Sequence, residues 1–275
     1  MLSAMLSANG QPEWTAIKPA RDWQELVLPA AEAAHLRAIA SRLRRRRRSS
    51  LVLLGGPPGT GKTLAARLLA GDRDMPVFAL DLAKPRAPDR ALEQVLAAAR
   101  SEGAVVLLAH PDHVLRKRAR DTRAPSDSYT FDPHNMLERS RRHRGIVVFE
   151  TRRRLDPALL DRFDLSIELP FPGPREREKI WRRGLPSDAR VSAAELLHLA
   201  EAFTLPGAAI RGCCLLAVSA AEREGAPASI RHVARALEFE YRDRLTGEAT
   251  RLALADLRRR AVTDSARIAP GVTGG

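Results

Sequence analysis

Cysteine is nearly missing from this 275-residue chain: the two present, Cys213 and Cys214, are neighbours inside an apolar helical run. Adjacent cysteines bridge only with strain and cannot supply four metal ligands, so a disulfide framework and a closed zinc site are excluded. Buried reduced thiols are expected. No run of 18 apolar residues occurs, which argues against a membrane-spanning helix. The opening M-L-S-A-M-L-S-A-N-G lacks a basic flank and a long apolar stretch, so no secretory signal is supported and a cytoplasmic location is expected. There is no internal repeat.

Lysine is scarce too. Only five of the 46 basic residues are Lys, so the net charge of +13 carries the arginine bias of GC-rich coding as much as any selection for phosphate contacts. The run Arg44-Arg45-Arg46-Arg47-Arg48 ends a predicted helix, where the dipole favours positive charge. It reads either as a solvated helix end or subunit-contact surface, or as a patch for nucleic acid or an acidic partner. With no reading helix, base-stacking aromatic pair or zinc module beside those charges, or beside the 116–123 loop, only sequence-independent nucleic-acid binding is suggested, and it is not favoured. The 44% apolar content suits a globular protein of one large or two moderate domains.

What is present is centred on Leu51 to Thr63, L-V-L-L-G-G-P-P-G-T-G-K-T. Four apolar residues read as a buried strand, Gly56 to Gly61 as a loop, and Thr63 to Ala70 as the helix that leaves it. Gly56-x-x-x-x-Gly61-Lys62-Thr63 matches the phosphate-binding loop in the strand-loop-helix context that the pattern requires. Glycines at 56, 59 and 61 let successive N–H groups approach a polyphosphate, and the helix start adds its positive dipole end. Gly56, Pro57, Pro58, Gly59, Thr60, Gly61, Lys62, Thr63 and Leu64 are therefore the candidate ATP-binding residues, with Lys62 on the β/γ-phosphates and the Thr63 hydroxyl on Mg²⁺.

Along the chain, residues 1–20 read as a disordered lead-in, and a helix is expected over 30–43. Strands are expected at 51–54, 76–81, 103–109, 145–151 and 165–169, with helices at 63–70, 89–100 and 133–142 between them and a long polar loop over 110–132. This alternation predicts a doubly wound, mostly parallel α/β sheet of five strands, with ligand at the strands' C-terminal edge. After Pro170-Phe171-Pro172-Gly173-Pro174 only helices are predicted. The expected domains are a large α/β domain over 21–173, a helical lid over 174–245, and a C-terminal helix and tail over 246–275.

A loop-bearing α/β domain followed by a small helical domain resembles the AAA+ ATPases, including FtsH-like members, across residues 21–245. Leu155-Asp156-Pro157-Ala158-Leu159-Leu160-Asp161-Arg162-Phe163-Asp164 is similar to the family's L-D-x-A-L-x-x-R-F-D segment, whose Arg reaches into the neighbouring subunit's nucleotide site. The resemblance thus implies a ring of subunits and an arginine finger at Arg162; read alone, Arg162 is a surface residue pairing with Asp161 or Asp164. Pro206-Gly207-Ala208-Ala209-Ile210-Arg211 resembles the start of the lid helix facing the nucleotide, which implies a sensor role near Arg211, against a plain solvated position. R-D-W-Q-E-L-V-L-P from Arg21, D-P-A-L-L-D-R-F-D from Asp156, P-F-P-G-P-R-E-R-E-K-I-W from Pro170 and L-P-G-A-A-I-R from Leu205 are similar to AAA+ proteins encoded with contractile injection systems, which implies an assembly or recycling role.

Three departures bear on activity. The family's third strand ends in Asp-Glu, for Mg²⁺ and the attacking water, but here Ala109 and His110 occupy those places. Asp112 is a candidate displaced ligand, His110 a candidate base, and Glu150 a candidate surrogate carboxylate from the adjacent strand. The family's water-positioning Asn is Arg152 here. The segment 81–88 lacks the aromatic of polypeptide-threading loops. The expectation is a protein that binds ATP and Mg²⁺, joins neighbouring subunits and serves an unknown protein client, with weak or absent hydrolysis. The alternative is an active ATPase that uses the displaced carboxylates.

Overall fold

Strands that are apolar at every position need cover on both faces, and the chain supplies it. The computed structural model describes residues 13–45, 49–84, 88–111, 133–152, 155–241 and 251–259. These divide into two compact units, 1–171 and 172–275.

The first unit holds a six-stranded sheet. Its strands are β1 (Thr15–Ile17), β2 (Ser50–Gly55), β3 (Val77–Asp81), β4 (Val105–Ala109), β5 (Ile146–Glu150) and β6 (Leu165–Glu168). Their spatial order is β1-β3-β4-β5-β2-β6, parallel throughout except for β1, which runs antiparallel to β3. The sheet therefore has six strands rather than the five expected. The sixth comes from within the 1–20 stretch read as a disordered lead-in: three residues are too few to show a period, but Thr15 pairs with Ala79 and the Trp14 ring stacks on Phe78 with centroids 4.2 Å apart.

Alternate residues of each strand feed opposite faces of the sheet. Val52 and Leu54 join Val105, Leu107, Ile146 and Val148 under helices α1 (Ala30–Arg45) and α2 (Lys62–Gly71). Leu51 and Leu53 join Val106, Leu108, Val147 and Phe149 under α3 (Pro88–Glu102) and α4 (Pro133–Arg142). The apolar stripe Leu36, Ile39, Ala40 and Leu43 faces inward, as its helical spacing predicts. Arg44, first of the arginine run, donates to Asp72 at 2.9 Å and to Ser41, so it is engaged within the chain; Arg46 to Arg48 lie outside the described residues.

A short helix α5 (Pro157–Leu160) precedes β6, with the Asp156 side chain capping it through the Ala158 N–H and Pro157 in its first turn. The second unit is helical: α6 (Pro174–Gly184), α7 (Ala193–Ala202), α8 (Gly207–Arg223), α9 (Ile230–Tyr241) and a helical stretch α10 over 251–259. Ser192 and Glu195 form a reciprocal capping box at the start of α7. Arg177 of α6 is buried and donates to the carbonyls of Pro172 and Ala200, each at 2.7 Å.

Candidate functional site

The parallel register gathers the C-terminal ends of β2, β3, β4 and β5 along one edge. Leu54 lies opposite Glu150, Ala109 opposite Glu150, and Asp81 opposite Ala109. The 56–63 loop leaves β2 at this edge. Gly56 (φ +131°) and Gly61 (φ +101°) both adopt the left-handed region that a side chain would strain. A Cβ on Gly56 would lie 2.2 Å from the Leu169 carbonyl oxygen, so glycine there is dictated by close approach as well. The loop then opens α2, whose first turn carries Lys62 and Thr63.

Lys62 is buried, and its Nζ donates to the carbonyls of Gly56 and Pro57 at 2.8 Å each. The ammonium is thus fixed against the loop that precedes it. Thr60 closes the turn with a hydroxyl bond to the Pro57 carbonyl. Thr63 Oγ1 donates to Glu150 Oε2 at 2.9 Å, joining the start of α2 to the end of β5.

Beside this pair runs a second polar chain. His110 Nδ1 and Asp81 Oδ1 are 2.9 Å apart, and His110 Nε2 meets Arg152 Nη2. A guanidinium donates and never accepts, so Nε2 is the acceptor and Nδ1 carries the proton given to Asp81. Burial pushes the Asp81 carboxyl up, but His110, the Ala83 N–H and Lys84 outweigh it and hold the group below the ordinary carboxylate range. His110 sits at φ +55°, an uncommon place for a side-chain-bearing residue, held there by partners on both ring nitrogens. With its lone pair facing a cation donor, this imidazole is poorly placed to take a proton from water.

Arg162 does not pair with Asp161 or Asp164. Its Nη2 meets Glu138 Oε1 at 2.7 Å and its Nη1 meets His134 Nδ1 at 3.2 Å, both on α4. Asp164 is occupied elsewhere, accepting from the Leu51 N–H at the start of β2, and Phe163 packs edge-on against Phe149. So the R-F-D string splits three ways: Arg onto α4, Phe into the core, Asp onto β2. Arg211 is the fifth residue of α8 in the second unit. Asp112 lies outside the described residues, as does most of the 110–132 loop. Sequence reasoning missed Glu138 and His134 as partners of Arg162; no local motif marks contacts made 24 and 28 residues away.

A cavity of about 580 Å³ opens between α1, β6 and the region of α5, lined by Glu32, His35, Thr151 and Glu168 among others. None of residues 56–63 lines it. Among the described residues no group of three or more His, Cys, Asp or Glu side chains could hold a metal, and no helix is long and apolar enough to cross a membrane.

A mostly parallel sheet with a glycine loop between β2 and a helix, Lys and Thr opening that helix, defines the P-loop nucleoside-triphosphatase fold. Residues 52–171 match the model of the family described as ATPase family associated with various cellular activities (AAA). The chain is 34% identical over 171 residues to ATPase family AAA domain-containing protein 3 of Caenorhabditis elegans, covering 56% of this chain and 28% of that protein. It is 34% identical over 144 residues to ATP-dependent zinc metalloprotease FtsH 3 of Sphaerobacter thermophilus, covering 48% of this chain and 29% of that one. It thus spans under a third of the length of these relatives. The solved AAA domain of FIGL-1 in complex with ADP superposes with a TM-score of 0.62 at 20% identity, over 92% of each chain. Residues 52–171 of the α/β unit thus resemble an AAA ATPase domain in both sequence and fold.

Proposed function

We propose that this chain binds ATP and Mg²⁺ through residues 56–64, assembles with neighbouring AAA subunits, and hydrolyses ATP slowly or not at all while supporting assembly or remodelling of a protein partner. One observation carries the reading: β4 ends at Ala109, His110 follows it, and the imidazole is spent between Asp81 and Arg152. Neither residue can polarise an attacking water as a carboxylate does. Each catalytic group of this kind contributes about 10²-fold or more, so losing several leaves little turnover.

Support for nucleotide binding comes from the loop's geometry, from Lys62 fixed at its mouth, and from the similar FIGL-1 domain, which was solved with ADP. Assembly through Arg162 is supported by its half-exposed side chain, held by residues that an anion from another subunit can displace. The curated relatives include proteins named as ATP-dependent, which suits an ATP-linked role. Bound nucleotide then acts as a structural ligand, adding about 2.7 kcal/mol of stability at a hundredfold excess over its Kd.

The test is steady-state phosphate release measured beside nucleotide affinity, in wild type and Lys62→Ala. Binding that depends on Lys62 with turnover far below one per second is expected. Lys62-dependent turnover at about one per second or faster, the ordinary enzyme range, overturns the slow-hydrolysis reading.

A further inference from the structure

The Thr63–Glu150 contact sits where a cation would serve the proposed nucleotide. Resting on the nucleotide-binding reading above, we propose that Glu150 is the protein's carboxylate for the nucleotide-bound Mg²⁺, relocated from β4 to the end of the neighbouring strand β5.

Three observations converge. The register places Glu150 directly across from Ala109, the position on β4 that has no acid. It also lies across from Leu54, so Glu150 ends the strand immediately beside the one that delivers the loop. Thr63 Oγ1 and Glu150 Oε2 are 2.9 Å apart. Mg²⁺ holds its oxygens at about 2.0–2.1 Å in an octahedron, so neighbouring ligand atoms lie about 2.9 Å from each other. The two oxygens therefore already have the spacing of one octahedral edge.

The two other carboxylates of this edge differ in their placement. Asp81 is committed to His110, the Ala83 N–H and Lys84. Glu168 lies against Gly55, where an added Cβ would meet its Oε2 at 2.1 Å. Mg²⁺ is ordinarily held by one or two carboxylates together with phosphate oxygens, so one hydroxyl and one acid meet its needs without a larger cluster. Lys62 precedes Thr63 and Arg152 follows Glu150 by two residues, and their positive charge suits a site that must also hold a polyphosphate. A carboxylate assigned to the metal is not available as a base, so the proposal agrees with slow hydrolysis.

The experiment is equilibrium titration with a fluorescent ATP analogue, in Mg²⁺ and in EDTA, with Mn²⁺ uptake followed by electron paramagnetic resonance. Wild type, Glu150→Gln, Thr63→Val and Asp112→Asn are compared, with melting curves confirming that each is folded. Wild type is expected to bind about tenfold or more tightly in Mg²⁺ than in EDTA. Glu150→Gln and Thr63→Val should each lose most of that enhancement and the nucleotide-dependent Mn²⁺ uptake, while keeping their affinity in EDTA; Asp112→Asn should behave as wild type. Full Mg²⁺ enhancement in Glu150→Gln, or its loss in Asp112→Asn instead, overturns the assignment. Equal wild-type affinity in Mg²⁺ and EDTA overturns it too while leaving nucleotide binding intact, whereas no binding in either condition removes the nucleotide reading itself.

Discussion

Glu138 Oε1 lies 2.7 Å from Arg162 Nη2, so the arginine that the family resemblance assigns to a neighbouring subunit is held by a carboxylate of its own chain. Both side chains are partly solvent-exposed, and such pairs contribute only about 0.2–1 kcal/mol. A triphosphate presented by another subunit can therefore win Arg162 away. Glu138→Gln should leave folding stability nearly unchanged and tighten nucleotide-dependent self-association about two- to fivefold. Arg162→Ala should weaken it. Sedimentation velocity with and without ATP checks both, and indifference of assembly to Arg162→Ala contradicts the finger.

Gly56 leaves no room for a side chain. Its positive φ and the Leu169 carbonyl oxygen 2.2 Å from the place of a Cβ mean that Gly56→Ala must displace backbone. The expected outcome is loss of about 1–3 kcal/mol of stability together with loss of nucleotide affinity. Urea unfolding and ligand titration read the two effects. Retained affinity with unchanged stability would show that the loop tolerates a different path.

Arg177 joins segments of the second unit through two carbonyls while buried. Burial lowers its pKa somewhat, with Glu176 opposing, yet a guanidinium stays charged at any ordinary pH. Arg177→Met removes both hydrogen bonds and leaves carbonyls unsatisfied, a cost of about 2–4 kcal/mol. Hydrogen exchange over 174–202 should rise sharply in the variant.

His143 supplies a pH dependence. It is buried, and burial followed by the nearby Arg100 charge lowers its pKa; the Leu96 backbone opposes this without reversing it. The unfolded chain therefore takes up this proton first as pH falls. The stability that His143 contributes is complete above its ordinary value of about 6.5 and is lost as pH drops below it toward the folded value, with a slope of no more than about 1.4 kcal/mol per pH unit. Denaturant melts at several values between pH 7.5 and 5 should show this loss, and His143→Phe should flatten the profile in that window.

The adjacent thiols should be inert. Cys213 and Cys214 are both buried, and burial, with the neighbouring Cys213 adding to it, pushes the Cys214 thiol up to about 12. A thiol-specific reagent at pH 8 should react with neither in the native protein and with both in guanidinium.

Most of the sheet was legible because its inner strands carry unbroken apolar runs and its loop has a fixed glycine pattern. Leu51 to Leu54, Val105 to Leu108 and Ile146 to Phe149 needed no tertiary information to be recognised as covered strands. Thr15 to Ile17 was not legible, since a three-residue edge strand is defined by its partner β3 and by Trp14 on Phe78. The candidate site was legible as a set of residue types but not as a set of pairs. Thr63 with Glu150, His110 with Asp81 and Arg152, and Arg162 with Glu138 are joined across 24 to 87 residues of chain. Strand register decides the first two, and no short window of sequence contains it.

The central claim is that the backbone amides of 56–63, with Lys62, grip an adenine nucleotide. Isothermal titration of wild type and Lys62→Ala with ATP, in Mg²⁺ and then in EDTA, tests it most directly. One site per chain in wild type and an affinity reduced at least tenfold in Lys62→Ala is the predicted result. Absence of heat and of any stabilisation by nucleotide in wild type, or equal binding by both proteins, would contradict it.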